Sequence, residues 1–341
     1  MKNNPQLGKI GEKKLIEIIE DLVLKTTGKP LLNDDSFFYD FKNKNVEEIL
    51  VLNSDMLVST TDVPAKMSSF QIGRKSIIMN MSDLIVKGVK PRGLIISLGL
   101  PKELRKLEFI DILNGIIDCS MMYDMKYIGG DINETKELII NPTIFGFKNP
   151  SQIIYRQGIT VGDILVTNNK FGLTGVGFDI LLKKNGDLKE YSKYKRAIMS
   201  VLEPIVSENE AYVLADKNLA TASIDSSDGL YKSLEDLMIS NPNIGFEIDF
   251  NNNLINTESI EYSNEFNVSL EELVFNGGEE YIHLFTISPE DLNEAQKAIQ
   301  SIGGHIFAIG KTVSEQYISI CKEGEKKEII DYGFEHFTKR G

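Results

Sequence analysis

Leu50-Val51-Leu52-Asn53-Ser54-Asp55-Met56-Leu57-Val58 is an apolar, β-type run with a single carboxylate set inside it. Its composition predicts a buried strand over 49–58, an expensive place for a charge without a partner. The arrangement recurs. Asp34-Asp35 stand shortly before it, Asp83 follows Asn80-Met81-Ser82, and Asp131 follows Ile128-Gly129-Gly130. Asp225 and Asp228 frame Ser226-Ser227 ahead of Gly229. Each acid lies at the end of an apolar run or at a turn, where side chains from distant parts of the chain can converge on one cleft. Singly, each serves equally well as a turn former or helix cap. Together Asp34, Asp35, Asp55, Asp83, Asp131 and Asp225 point to a hard-cation site that handles phosphate. Mg²⁺ takes oxygen ligands and few carboxylates per ion, so this many acids imply more than one ion. Ions bridging phosphate oxygens are what phosphoryl transfer needs. Arg156 is a candidate phosphate fork.

Outward from this stretch, strands and helices alternate. Apolar residues at helical spacing predict helices over 9–25, 68–88 (capped by Ser68 or Ser69 and stopped by Gly88) and 103–123. Thr60-Thr61-Asp62-Val63-Pro64 should leave the central strand as an extended turn. Further strands are expected over 93–100, from Tyr127 into a Gly129-Gly130 turn, and over 138–147. Asn149-Pro150-Ser151 marks a boundary between a domain of residues 1–149 and one of residues 150–341. In the second, a strand at Ile164–Thr167 leads into the glycine-rich 171–179, a loop able to offer backbone N–H groups to phosphate although it matches neither Walker A nor a strict GxGxxG. Helices over 194–217 (interrupted at Pro204), 229–239 and 289–302 follow, with strands at 247–250, 282–287 and 305–310. Asn276-Gly277-Gly278-Glu279-Glu280-Tyr281 is a second diglycine ahead of acids.

Composition removes several classes of function. A chain of 341 residues with 42% hydrophobic and 26% charged residues is long enough for a two-domain globular protein. A net charge of −13 with no Lys/Arg block gives no nucleic-acid footprint. Two cysteines, Cys119 and Cys321, form no spaced framework, and three histidines without a CxxC give no zinc site. No window approaches a membrane span and no apolar leader is apparent, so a cytoplasmic enzyme in a reducing compartment is expected.

At the acidic residues the sequence closely resembles the thiamine-monophosphate kinase family, of the superfamily that includes aminoimidazole ribonucleotide synthetase, selenophosphate synthetase and the hydrogenase-maturation dehydratase. The resemblance covers nearly the whole chain. It begins at Gly11-Glu12-Lys13-Lys14-Leu15-Ile16 and runs through Asn33-Asp34-Asp35-Ser36, Asn53-Ser54-Asp55-Met56-Leu57-Val58 and Asn80-Met81-Ser82-Asp83-Leu84. It continues through Ile128-Gly129-Gly130-Asp131, Arg156-Gln157-Gly158 and Asp225-Ser226-Ser227-Asp228-Gly229-Leu230. It closes at Gly277-Gly278-Glu279-Glu280-Tyr281 and Gly333-Phe334-Glu335-His336-Phe337. The resemblance implies ATP-dependent phosphorylation of thiamine monophosphate to thiamine diphosphate, by direct transfer over a cluster of Mg²⁺ ions. By motif match, Asp35, Ser54, Asp55, Asp83, Asp131, Asp225 and Asp228 are the metal ligands. Gly130, Asp131, Arg156 and Ser227 contact ATP, and Glu279 and Phe334 hold the thiamine end. Asp62 stands where the family places a substrate-proximal His. The implied fold is α/β in two domains: an N-terminal domain whose strands form a barrel across a homodimer, and a C-terminal α/β domain of the aminoimidazole ribonucleotide synthetase type. Two other readings stay open: a sister ATP-dependent enzyme acting on a different phosphorylated metabolite, and a non-catalytic nucleotide-binding regulator.

Overall fold

The computed structural model describes residues 12–30, 34–40, 47–184, 189–330 and 332–333. The chain opens with the largely exposed helix α1 (Glu12–Thr27). A first sheet follows, from β1 (Phe37–Tyr39), β2 (Ile49–Asn53) and β3 (Leu57–Val58) to β4 (Pro91–Leu100), β5 (Lys126–Glu134) and β6 (Ile139–Lys148). Its order is β1-β2-β6-β4-β5, with β3 pairing to β6. The short α2 (Ser59–Asp62) leads to α3 (Ser69–Ile85), and α4 (Lys106–Met122) joins β4 to β5. Helix α3 begins where its pattern predicts. The Ser68 hydroxyl accepts the Gln71 N–H while the Gln71 side chain accepts the Ser68 N–H, a reciprocal cap.

One face of this sheet is dry. Val51, Leu94, Ile96, Leu98, Ile140 and Ile144 pack against Ile77, Ile78, Met81 and Leu84 of α3. The opposite face stays open, because strand side chains alternate. Ile95 and Ser97 of β4 lie on it, and Ser97 is in register with both Asp131 of β5 and Asn141 of β6.

Three local expectations are corrected. The strand expected to run unbroken over 49–58 stops at Asn53 and resumes at Leu57. At the gap the Asp55 N–H leaves the ladder for Asn80 Oδ1 at 2.6 Å, so a side-chain amide replaces a strand partner. The extended turn expected at 60–64 instead begins with the single helical turn α2, closed by the Asp62 carboxylate on the Val58 N–H at 2.6 Å. Gly129-Gly130 is not a turn. Both glycines lie inside β5, which continues past Asp131. Gly130 has φ +159, and a Cβ there would lie 1.8 Å from Ile96 O, so the close approach of β5 to β4 requires glycine.

The second sheet is built from β7 (Ile164–Thr167), β8 (Ala222–Ser226), β9 (Gly245–Asp249), β10 (Ile282–Ile287), β11 (Phe307–Val313), β12 (Ile318–Lys322) and β13 (Glu325–Glu328). Their order is β13-β12-β9-β11-β7-β10-β8, antiparallel apart from the β9–β12 pair. Helices α5 (Leu173–Phe178), α6 (Lys195–Leu202), α7 (Asn209–Asp216), α8 (Leu230–Ser240), α9 (Thr257–Phe266), α10 (Leu270–Phe275) and α11 (Leu292–Ser301) surround it. One core joins the first sheet, α3 and α4 to α5, α6, α7 and the near side of β10. A second core lies on the other side of the sheet, under α8 and α10. Strand β8, buried along its whole length, runs beside the C-terminal end of α3. There the Ser223 hydroxyl reaches the carbonyls of Val86 and Ile154, at 2.8 and 3.0 Å. That seam carries the acidic residues.

Candidate active site

Three carboxylates from separate parts of the chain meet at the seam. One oxygen each of Asp35, Asp83 and Asp225 lies within 4.8 Å of the others. Asp35 precedes β1, Asp83 projects from α3 and Asp225 from β8. Asp55 joins through an amide: Asn53 Nδ2 donates to Asp55 Oδ2 at 2.9 Å and also to Asp83 Oδ2. Asn80 holds the Asp55 backbone from both sides, accepting its N–H and donating to its carbonyl at 3.1 Å. The Ser36 hydroxyl fixes the Asp83 carbonyl at 3.0 Å.

The electrostatics of this group are divided. Burial pushes the Asp225 carboxyl up to about 7, with the charge of Asp35 adding to the effect. Burial likewise raises Asp83 well above the usual range, with Asp225 and Asp55 contributing. Asp225 Oδ2 is buried with no hydrogen-bond partner among the described residues. Carboxylates crowded in this way stabilise either a proton or a cation. Asp35 differs. Burial alone would raise it, but Arg156 and Lys87 beside it hold it below the usual carboxylate range. The Arg156 guanidinium pairs with Asp35 Oδ1, and its backbone N–H meets Asp34 Oδ2 at 2.8 Å. Lys87 Nζ lies 2.6 Å from Asp35 Oδ2 and 2.9 Å from Asp34 Oδ1. The oxygen donor set suits a hard divalent ion, and the unpartnered oxygen of Asp225 gives such an ion a place to bind.

A second buried pair borders the cluster. Lys75, in the middle of α3 and 0% exposed, reaches Glu279 Oε1 at 2.5 Å and also bonds the Asp62 carbonyl. Burial raises the Glu279 carboxyl against the pull of Lys75, and its Oε2 has no hydrogen-bond partner among the described residues. Glu279 and Tyr281 carry φ of +57 and +48, a costly backbone for non-glycine residues. The segment is held against β8 by the Glu279 and Tyr281 N–H groups on the Ser227 and Ser226 carbonyls, at 2.5 and 2.9 Å.

The other predicted residues fall into distinct positions. Ser54 is turned toward β6, donating to Asn141 Oδ1 and the Pro142 carbonyl at 3.3 and 3.2 Å. It therefore shares the open sheet face with Asp131, which is exposed and stands apart from the Asp35, Asp83 and Asp225 group. Ser227 is exposed and Asp228 half-buried in the turn after β8. The Asp62 carboxylate is engaged by its own turn through Val58. Phe334 and the rest of its motif beyond Gly333 lie outside the described residues, as does the opening Gly11. The phosphate loop expected at 171–179 is corrected. Helix α5 starts inside it, and the half-buried Glu280 carboxylate already takes the Gly172 N–H at 2.7 Å. Gly175 and Gly177 pack tightly against the Leu273 and Ala197 carbonyls.

Lys75 and Lys87 are not singled out from sequence, and Asn53 and Asn80 enter there only as members of their motifs, without a role. Their signal was present: Lys75 and Lys87 interrupt the apolar stripe of α3 and its extension, and Lys87 follows Asp83 by one helical turn.

Comparison with known proteins gives these features a family. Residues 33–147 match the model of the AIR synthase related protein, N-terminal domain. The thiamine-monophosphate kinase of Nitrosopumilus maritimus is 30% identical over 303 residues, 86% of this chain and 94% of that one. The thiamine-monophosphate kinase of Methanocaldococcus jannaschii is 32% identical over 319 residues, 89% and 94% of the two chains. The solved structure of AaThiL complexed with AMPPCP and TMP superposes with a TM-score of 0.83 over 98% of this chain and 99% of that one, at 23% identity. The mixed α/β, two-domain architecture is thus that of the solved relatives, and the identity spread over most of both lengths shows that the chain belongs to the thiamine-monophosphate kinase family.

Proposed function

We propose that the protein transfers the γ-phosphate of ATP directly to thiamine monophosphate, giving thiamine diphosphate and ADP. The observation that carries this reading is the convergence of Asp35, Asp83 and Asp225 at the seam, in a chain related over most of its length to thiamine-monophosphate kinases. Asp55, Asp83 and Asp225 would hold Mg²⁺ there. Bound, the metal neutralises phosphate charge and aligns the two phosphate chains, which is most of what phosphoryl transfer asks of an enzyme. Asn53 sets the Asp55 and Asp83 carboxylates in place, and Asn80 the Asp55 backbone, before any ligand arrives. Ser54 and Asp131, on the open sheet face, are assigned to further metal and nucleotide contacts, with Gly130, Arg156, Ser227 and Asp228. Glu279, Asp62 and Phe334 are assigned to the thiamine side.

The same reading divides the chain into domains 1–149 and 150–341, pairs two copies through the first sheet into a barrel, and places the enzyme in the cytoplasm. Two features support the pairing. Strand β5 is an edge, and Tyr127, Ile128 and Ile132 on it are exposed. No described helix is long and apolar enough to cross a membrane.

The test is product identification with purified protein, Mg²⁺-ATP and thiamine monophosphate. Equal amounts of ADP and thiamine diphosphate are expected. ADP formed only with a different phosphorylated acceptor would transfer the activity to the sister-enzyme reading. ATP binding with no turnover on any acceptor would leave a regulator.

A further inference from the structure

Lys87 is the least expected residue of the site. It follows α3, is 0% exposed, and sends its ammonium into the acidic cluster instead of toward solvent. Three oxygens surround the ammonium: the Ser223 carbonyl accepts a hydrogen bond at 2.8 Å, and Asp35 Oδ2 and Asp34 Oδ1 stand in ion-pair contact at 2.6 and 2.9 Å. Two carboxylates and a carbonyl at these distances form a cation site, and its occupant is covalently attached. Arg156 occupies the other oxygen of Asp35, so both Asp35 oxygens already face fixed positive charge. Asp225 Oδ2, by contrast, has neither a hydrogen bond nor an ion pair among the described residues, whereas Asp35 Oδ2, which also lacks a hydrogen bond, has the Lys87 ammonium beside it.

We propose that Lys87 is a built-in monovalent cation of the site, a positioning residue that takes the place a free cation would otherwise fill between Asp34 and Asp35. It sets a fixed positive charge against that pair and ties it to β8 through the Ser223 carbonyl. It also keeps exchangeable metal off the Asp34–Asp35 pair. This deepens the phosphotransferase reading and rests on it only for the use to which the metal is put. A buried lysine held by two acids could simply be a structural pair. The two roles differ in what happens once the charge is removed, because an empty cation site refills from solution and a broken structural pair does not.

The experiment uses the full chain without nucleotide and titrates Mn²⁺ by electron paramagnetic resonance, for wild type, Lys87→Gln and Lys87→Ala. Lys87→Gln keeps a donor of similar reach without the charge. It is expected to bind an additional Mn²⁺ or to bind Mn²⁺ at least about tenfold more tightly, as two acids lose their fixed counter-ion. Lys87→Ala opens the space of the side chain. Ammonium chloride should then raise its melting temperature above that in tetramethylammonium chloride of equal ionic strength and should compete with the additional Mn²⁺. Wild type should respond equally to both salts. A Mn²⁺ titration of Lys87→Gln indistinguishable from wild type overturns the proposal, and it does so even if Lys87→Ala fails to fold. Thiamine diphosphate formation by wild type is scored separately, so loss of the functional reading and loss of the lysine's role give different results.

Discussion

His283 shows how sharply single residues are tuned around the seam. It sits on β10 opposite Asp225 of β8, fully buried, with both ring nitrogens unpartnered among the described residues. Burial drives its pKa from 6.5 down to about 3. A histidine depressed in the folded state is neutral there but takes up a proton when unfolded. Its contribution is therefore intact above pH 6.5 and lost progressively as pH falls toward 3. At about pH 5 the loss should reach roughly 2 kcal/mol. His283→Leu should escape that loss. The stability of the variant minus that of wild type, from urea unfolding, should rise by about this amount between about pH 8 and pH 5. An unchanged difference would mean that the folded protein protonates the ring as readily as the unfolded chain does, with an acceptor holding the imidazolium. At this scale the sequence was legible where the carboxylates were concerned, because an acid inside an apolar run is conspicuous. It was weaker on their counter-ions: Lys75 and Lys87 interrupt an apolar stripe, but only tertiary packing shows that they turn inward, and His283 lies in an apolar strand with no motif of its own.

Most elements could be read from periodicity, since α3, α4, β4 and β6 each carry a regular apolar face. The failures came where side chains replaced backbone partners. Asn80 draws Asp55 out of the strand, Asp62 closes a helical turn, and Glu280 fills the N-terminus of α5. The Asn80 and Glu280 bonds are long-range and have no local signature, and the Asp62 bond closes a turn of four residues that an extended reading passes over. The diglycine of β5 failed for another reason: the same residues suit a turn or a tight strand pair, and only the neighbour decides. Gly130→Ala tests that assignment. A methyl group there meets the Ile96 carbonyl, so the variant should lose about 1–3 kcal/mol of stability by denaturant midpoint. A turn glycine facing solvent would cost far less.

For the whole molecule, the open face of the first sheet and the edge strand β5 are the features a monomer explains least well. Exposed Ile95, Ile128 and Ile132 lie on β4 and β5. With a net charge of −13, a further acid there should favour separation of copies. Ile132→Asp is expected to convert a dimer into a monomer by light scattering without loss of secondary structure. A wild type that is already monomeric at micromolar concentration would exclude the paired barrel. The two-domain α/β class was legible from alternation of strands and helices, but the seam was not, because it forms between β8 and α3, far apart in sequence.

The central claim is that the carboxylates at this seam direct phosphate from ATP onto thiamine monophosphate, and a single-turnover transfer of γ-labelled phosphate tests it most directly. Wild type should place the label in thiamine diphosphate, one per ATP consumed. Asp83→Asn, with an unchanged fold by circular dichroism, should do so at least about a thousandfold more slowly, since a metal-facing carboxylate is lost. Label appearing as free phosphate in wild type, or in thiamine diphosphate at an undiminished rate in Asp83→Asn, would contradict the account.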